Sequence, residues 1–266
     1  MTNRIINKMN EIGSRGGKSF SVVLMIGDKD PDDTTRSIQI ALECGVDIIE
    51  LGIPYDQPYL DSGIMKESMC RALKWSTNPL DYLKYLKQIR SKYPHVPIEV
   101  MIYHDTVMQI GMEKFAASLD EAQIDAVLVA DYVDKGQTFI TKFDQCLAKT
   151  EVLAIRFVPD KFDPEQIEDV ATNGHGFVIS QTLTDPAGER KKVLDGNKEK
   201  ADYLRNQGVN APLVFAYGIK TPMDIKKCIE LGADGVLLGT VVLDAAHRMK
   251  PEDFRELLTS FRRAAI

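Results

Sequence analysis

The chain reads as an α/β protein, a (β/α)8 TIM barrel with an extra N-terminal helix ahead of the first strand. Three observations lead there. Eight apolar, strand-like runs alternate with segments of helical periodicity, and strict β-then-α alternation implies a parallel sheet with helices packed outside it. The length, 266 residues, suits one such barrel, which takes about 250. The αβ connections are short: Cys44-Gly45-Val46-Asp47 and Leu231-Gly232-Ala233-Asp234-Gly235 each end a helix on glycine and open a strand almost at once. A doubly wound sheet is the runner-up, and so many roughly equal units count against it. No linker or shift of composition divides the chain, so residues 1–266 are expected to form a single TIM-barrel domain.

In chain order, an amphipathic segment over 2–12 is placed to plug the bottom of the barrel. Strands are expected over 20–26, 46–51, 98–103, 126–130, 152–158, 176–180, 213–216 and 235–238. These are short, nearly continuous apolar runs, as strands covered on both faces require. Helices are expected over 32–43, 64–73 with 81–93, 113–123, 137–149, 164–172, 197–207, 221–231 and 240–248, where apolar residues recur at helical spacing. Thr221-Pro222 marks one of these starts, with proline at the first helical position. A final amphipathic segment over 251–262 would complete the outer ring.

Composition excludes several classes of function. Hydrophobic residues make up 44% and charged residues 27%, and the net charge of -6 is spread along the chain. There is no basic stripe, acidic tail or membrane-binding face, so neither nucleic acid nor membrane is an expected partner. The N-terminus reads as a helix start rather than a signal peptide, and no apolar run approaches a membrane span. Cys44, Cys70, Cys146 and Cys228 lie far apart in helical patterns, as small buried apolar residues would. They and the scattered His95, His104, His175 and His247 show no zinc-like spacing. A cytoplasmic protein working without metal is the default.

The chemistry concentrates at the end of the second run. Glu50 is a carboxylate where an apolar strand would reject one unless it had a task, and a Pro/Tyr/Asp-rich loop then leads to Asp61. Two acids at one mouth can be driven to different pKa values and divide the roles of acid and base. The plainer alternative makes Glu50 a satisfied strand-end acid and Asp61 the N-cap of the helix near Ile64. Barrel active sites form at the C-terminal strand ends, which favours the catalytic reading. The last two units carry a second signal. Gly218 and the pair Gly239, Thr240 follow the seventh and eighth runs, where barrels commonly bind phosphate through glycine-rich loops and a helix N-terminus. Either glycine alone is also consistent with a tight βα turn. The polar loop over 181–191 reads as a lid or as a solvated surface loop, and composition alone favours the latter.

These residues resemble the tryptophan synthase alpha subunit family. Glu50-Leu51-Gly52-Ile53-Pro54-Tyr55, with Pro58 and Asp61, is similar to the signature around its catalytic Glu and Asp. Further matches fall in family order at Ile26-Gly27-Asp28, Met101-Ile102-Tyr103, Val127 to Asp131, Tyr217-Gly218-Ile219 and Gly235 to Thr240. The resemblance implies retro-aldol cleavage of indole-3-glycerol phosphate to indole and glyceraldehyde 3-phosphate, without cofactor or metal. Glu50 would protonate the indole at C3 and take up the glyceryl hydroxyl proton, and Asp61 would hold the indole N–H. Tyr103, Asp131, Phe157, Tyr217, Gly218, Gly239 and Thr240 are the corresponding substrate-binding candidates, and a tryptophan synthase beta subunit the corresponding partner. The chain departs from the family pattern at Asp56-Gln57, at Ser62-Gly63, in the loop from Thr184 to Gly188, and at Val23, Ile179 and Tyr217. Asp56-Gln57 displaces an acid that meets the beta subunit in the family, and Pro186 stiffens a loop that normally closes, so weaker coupling to a conventional beta subunit is expected. The alternatives are a divergent paralogue, a lyase or isomerase acting on another phosphorylated substrate, and a non-catalytic relative.

Overall fold

The computed structural model describes residues 3–61, 63–184 and 193–266. Among these are nine strands: β1 Ser19–Met25, β2 Ile48–Gly52, β3 Ile98–Ile102, β4 Ala126–Val129, β5 Leu153–Ala154, β6 Arg156–Val158, β7 Val178–Gln181, β8 Leu213–Ala216 and β9 Gly235–Leu238. All neighbours pair parallel, in the order β5-β4-β3-β2-β1-β9-β8-β7-β6. The two end strands are successive halves of one run joined through Ile155, so the sheet curls round on itself. The expectation of an unbroken strand over 152–158 is thereby corrected. At Ile155 the hydrogen bonding passes from β4 to β7, because each half has a partner on one side only.

The helices are α1 Arg4–Ser14, α2 Pro31–Glu43, α3 Ile64–Ala72, α4 Pro79–Lys92, α5 His104–Ile110, α6 Met112–Glu121, α7 Tyr132–Lys135, α8 Gln137–Leu147, α9 Pro164–Asn173, α10 Asn197–Asn206, α11 Pro222–Glu230, α12 Thr240–Arg248 and α13 Pro251–Ala264. The sequence reading missed α5 and α7. Both begin just past a strand end and stop at Gly111 and Gly136, each with positive φ, and they are too short to show a helical period. Cys70 is a second correction. It lies in α3 but is exposed, whereas Cys44 and Cys228 are buried as expected.

The bottom of the barrel is tied by a repeated device. Asp47, Asp125 and Asp234 each accept the backbone N–H of Phe20, Ile98 and Leu213 respectively, at 2.8–3.0 Å, and each also pairs with an arginine. Helix α1 covers this end. The Asn3 amide donates to Asp125 O (2.7 Å) and Glu151 O (3.1 Å), while Ile5 and Met9 are buried. This end lies away from the C-terminal strand ends where barrel active sites form, and its ties serve stability. At the other end, the buried Lys200 ammonium donates to Val158 O, Pro159 O and Gln181 O at 2.7–3.3 Å. One cation thus holds the tops of β6 and β7 together, and burial pulls its pKa down to about 8.

Register decides what faces the barrel interior. A Cβ on Gly52 would lie 2.7 Å from the Met25 side chain and 3.3 Å from that of Met101, so these three positions converge inside. Side chains alternate with a period of two. Val23, Glu50 and Glu99, aligned across β1, β2 and β3, therefore also point inward, one layer below Gly52.

Candidate active site

Two carboxylates stand where the barrel interior meets its open mouth. Glu50, two residues before the end of β2, is 2% exposed, and its Oε2 has no hydrogen-bond partner among the described residues. Burial and then the charge of Asp61 push its pKa up to about 8. A carboxyl so placed is protonated at neutral pH and can donate a proton. The reading of Glu50 as a satisfied strand-end acid does not match this environment. Nor does Asp61 act as a helix cap: α3 starts from Gly63 without a side-chain cap, and Asp61 Oδ2 accepts the Tyr103 hydroxyl at 2.6 Å. The Asp61 pKa is raised, because burial outweighs the Tyr103 hydrogen bond that lowers it.

The loop from β2 to Asp61 is held by three tyrosines in parallel. Tyr103, fully buried at the end of β3, stacks on Tyr55 with centroids 4.9 Å apart and meets Tyr59 edge-on at 5.8 Å. Tyr55 donates to Asp105 and Tyr59 to Asp131, both at 2.8 Å. Asp131, 2% exposed at the end of β4, also accepts the His104 N–H (2.8 Å) and pairs with Lys135 (3.2 Å). Tyr103 and Asp131 therefore sit behind the mouth and fix the loop that carries Asp61. Sequence reasoning missed Tyr55, Tyr59, Asp105 and Lys135 in this latch, because partners so far apart along the chain share no local pattern.

Across the mouth, Phe157 of β6 and Tyr217 after β8 pack with centroids 5.7 Å apart. The enclosure of its hydroxyl and then the charges of Asp61 and Glu50 hold the Tyr217 phenol above its ordinary pKa. The residue is 54% exposed, so the ring borders open space. Tyr217 also adopts a positive φ of 71°, a conformation non-glycine residues rarely hold and one that clusters at functional sites. Gly218 follows with the same φ, and a Cβ there would lie 2.5 Å from Thr184 Cγ2. Thr182 donates its hydroxyl to Tyr217 O. The segment after β7 thus rests on the loop after β8. Most of the rest of the polar loop over 181–191, read as a lid or a solvated surface loop and including Pro186 and Gly188, lies outside the described residues, as does Ser62.

Strands β8 and β9 are neighbours, which brings the Gly218 loop beside Gly239 and Thr240. Gly239 caps α12, and the Val242 and Leu243 N–H groups turn back to its carbonyl. The first amides of a helix have no intrahelical acceptor and face outward, with the positive end of the helix dipole behind them. The start of α11, by contrast, is already taken: Asp224 accepts the Lys220 and Thr221 N–H groups. Among the described residues, no group of three or more His, Cys, Asp or Glu is arranged to hold a metal ion, and no helix is long and apolar enough to cross a membrane.

The family model for the tryptophan synthase alpha chain matches residues 9–263. The chain belongs to the tryptophan synthase alpha chain family. It is 29% identical over 245 residues to the tryptophan synthase alpha chain of Aliivibrio fischeri strain MJ11, covering 91% of this chain and 90% of that one. It is 30% identical over 246 residues to that of Caldanaerobacter subterraneus subsp. tengcongensis, with the same coverage of 91% and 90%. The crystal structure of tryptophan synthase subunit alpha from Legionella pneumophila str. Paris superposes with a TM-score of 0.88 over 100% of this chain and 99% of that one, at 24% identity. That last likeness concerns the fold, a TIM barrel shared across the tryptophan synthase alpha chain family.

One inward-facing acid in this tryptophan synthase alpha chain relative was overlooked. Glu99 is fully buried beside Glu50, with neither carboxyl oxygen partnered among the described residues. The signal existed in the sequence: a carboxylate inside the apolar run 98–103, by the same logic that singled out Glu50.

Proposed function

We propose that Glu50 and Asp61 carry out the retro-aldol cleavage of indole-3-glycerol phosphate to indole and glyceraldehyde 3-phosphate. As a member of the tryptophan synthase alpha chain family, the chain is a carbon–carbon lyase of this type. The observation that carries the assignment of roles is the contrast between the two acids: Glu50 is fully enclosed, which raises its pKa to about 8, while Asp61 is half-buried and held by a tyrosine hydroxyl. Glu50 passes its proton to indole C3. The positive charge that develops on the ring is met by the Asp61 carboxylate, which accepts the indole N–H. As the carbon–carbon bond breaks, the ionised Glu50 takes the proton of the glyceryl hydroxyl, so the acid is regenerated and no net proton is consumed. Phe157 and Tyr217 border the space for the indole ring.

The phosphate binds at Gly218, Gly239 and Thr240, supported by the start of α12, which has no side-chain cap among the described residues, and by the neighbouring ends of β8 and β9. Its binding energy, remote from the reacting bond, positions the substrate. Tyr103 and Asp131 act from behind, by holding the loop that carries Asp61. The partner in this reading is a tryptophan synthase beta subunit and the compartment the cytoplasm, both following from the family's place in amino-acid biosynthesis. The presence of both acids argues against a non-catalytic role, and the family match over residues 9–263 favours indole-3-glycerol phosphate over another phosphorylated substrate. Glu50→Gln tests the assignment. Loss of a proton-transfer group costs about 10²–10⁴-fold, so the variant should keep its fold and lose nearly all indole formation; retention of more than about a tenth of wild-type kcat would exclude proton transfer by Glu50.

A further inference from the structure

Glu99 has no place in the reaction as described, yet it is the nearest polar neighbour in register with Glu50. The two are aligned across β2 and β3 and share the barrel-facing side. Glu99 is 0% exposed and both its carboxyl oxygens lack a partner among the described residues. The ladder positions flanking the pair are Val23 on β1 and Ala126 on β4, both apolar. Among the described residues, no lysine, arginine or histidine forms an ion pair with either acid. The titratable groups that face the pair are Asp61 from the loop after β2, Tyr103 at the end of β3, which donates to Asp61, and Tyr217 after β8. None can neutralise a second buried negative charge.

Two adjacent carboxylates without a cation in a dry interior cannot both ionise. As carboxylates both would offer acceptors only, so neither could satisfy the other. A proton on one resolves this at once, since a carboxylic acid donates and its neighbour accepts. Glu99 is the member farther from solvent. We propose that Glu99 is a neutral carboxylic acid whose O–H donates to Glu50, orienting Glu50 and stabilising the carboxylate that forms when Glu50 gives its proton to the substrate. The direction of the electrostatics agrees: the hydrogen bond with Glu99 favours ionised Glu50, while burial and then Glu50 hold Glu99 far above the usual carboxylate range. Glu99 keeps its own proton throughout. It is a positioning residue, and its hydrogen bond strengthens as charge appears on Glu50.

The inference rests on Glu50 as the acid of the lyase, so its test pairs a readout that needs no turnover with one that does. Infrared difference spectra of the free protein at pH 7 should contain, besides the band of protonated Glu50, a second protonated-carboxyl band that vanishes in Glu99→Gln and persists in Glu50→Gln. If Glu99→Gln removes no such band, Glu99 is ionised and the inference is overturned, whatever the activity. With indole-3-glycerol phosphate as substrate, Glu99→Gln keeps an N–H donor and should retain most of the wild-type kcat. Glu99→Leu, which has none, should lose roughly tenfold or more in kcat with little change in KM, and the alkaline limb of its pH profile should move to higher pH. A merely structural role would lower the melting temperature without moving that limb. A folded Glu99→Leu with wild-type kcat and pH profile would overturn the proposal. Should Glu99→Leu fail to fold, the infrared comparison alone decides. An active Glu50→Gln would instead strike at the reaction assignment and leave the band of Glu99 intact.

Discussion

Tyr103→Phe isolates one oxygen atom. In the wild type the hydroxyl donates to Asp61 Oδ2 at 2.6 Å, a length typical of a charge-assisted O–H···O⁻ bond. The ring itself is fully buried and stacks on Tyr55 at 4.9 Å, and phenylalanine preserves both features. A hydrogen bond to a charged group contributes about 1.5–3 kcal/mol. Asp61 is half-buried, so water replaces part of what is lost, and the lower end applies. About 1.5 kcal/mol corresponds to roughly a tenfold fall in kcat, since Asp61 is needed in one orientation against the ring nitrogen. The fold should lose only about 1 kcal/mol, a shift of a few degrees in Tm. Because the tyrosine hydrogen bond lowers the Asp61 pKa, its removal should also move the acidic limb of the pH profile upward. Steady-state indole formation across pH, with a thermal melt as control, measures all three. A Tyr103→Phe enzyme within twofold of wild-type kcat and with an unmoved acidic limb would show that the hydroxyl does not position Asp61.

Three further expectations follow from the same geometry. With Glu50 as the proposed acid and its pKa raised to about 8, kcat should fall as pH rises through about 8. Folded Glu50 binds its proton more tightly than unfolded Glu50, so its linkage contribution to stability is fully present below the unfolded pKa of about 4.5 and is lost as pH rises from there through about 8; melting curves should show Glu50→Gln flattening this decline, and an unchanged slope would count against a buried protonated Glu50. Gly218→Ala places a Cβ 2.5 Å from Thr184 Cγ2 on a backbone of positive φ. It should cost about 1–3 kcal/mol and raise KM for the phosphorylated substrate about tenfold or more; a KM equal to wild type in a folded variant would remove Gly218 from the phosphate site.

The bottom and the top of this barrel differ in how far they could be read from the chain. Strand and helix alternation, and the glycine stops before Asp47 and Asp234, are short-range patterns, set by burial on both faces of a strand and by the needs of a helix end. They led to the fold without any contact being known. The same local logic marked Glu50, a charge in an apolar run, and placed Asp61 in the loop beyond it. Equal attention to Glu99 would have marked it too; a lone acid inside a strand is informative wherever it occurs. What the sequence could not decide was company. Whether Asp61 caps α3 or meets Tyr103, whether Glu50 stands alone or beside Glu99, and which phenols latch the loop on Asp105 and Asp131 all depend on the register between neighbouring strands and on the closure of the sheet between β4 and β7. Those are long-range choices, settled by packing inward-facing side chains into one barrel, and they leave no period in the chain. The tertiary structure brings Glu50, Glu99 and Asp61 into one enclosed region, and that enclosure, rather than the mere presence of carboxylates in the chain, raises their pKa values.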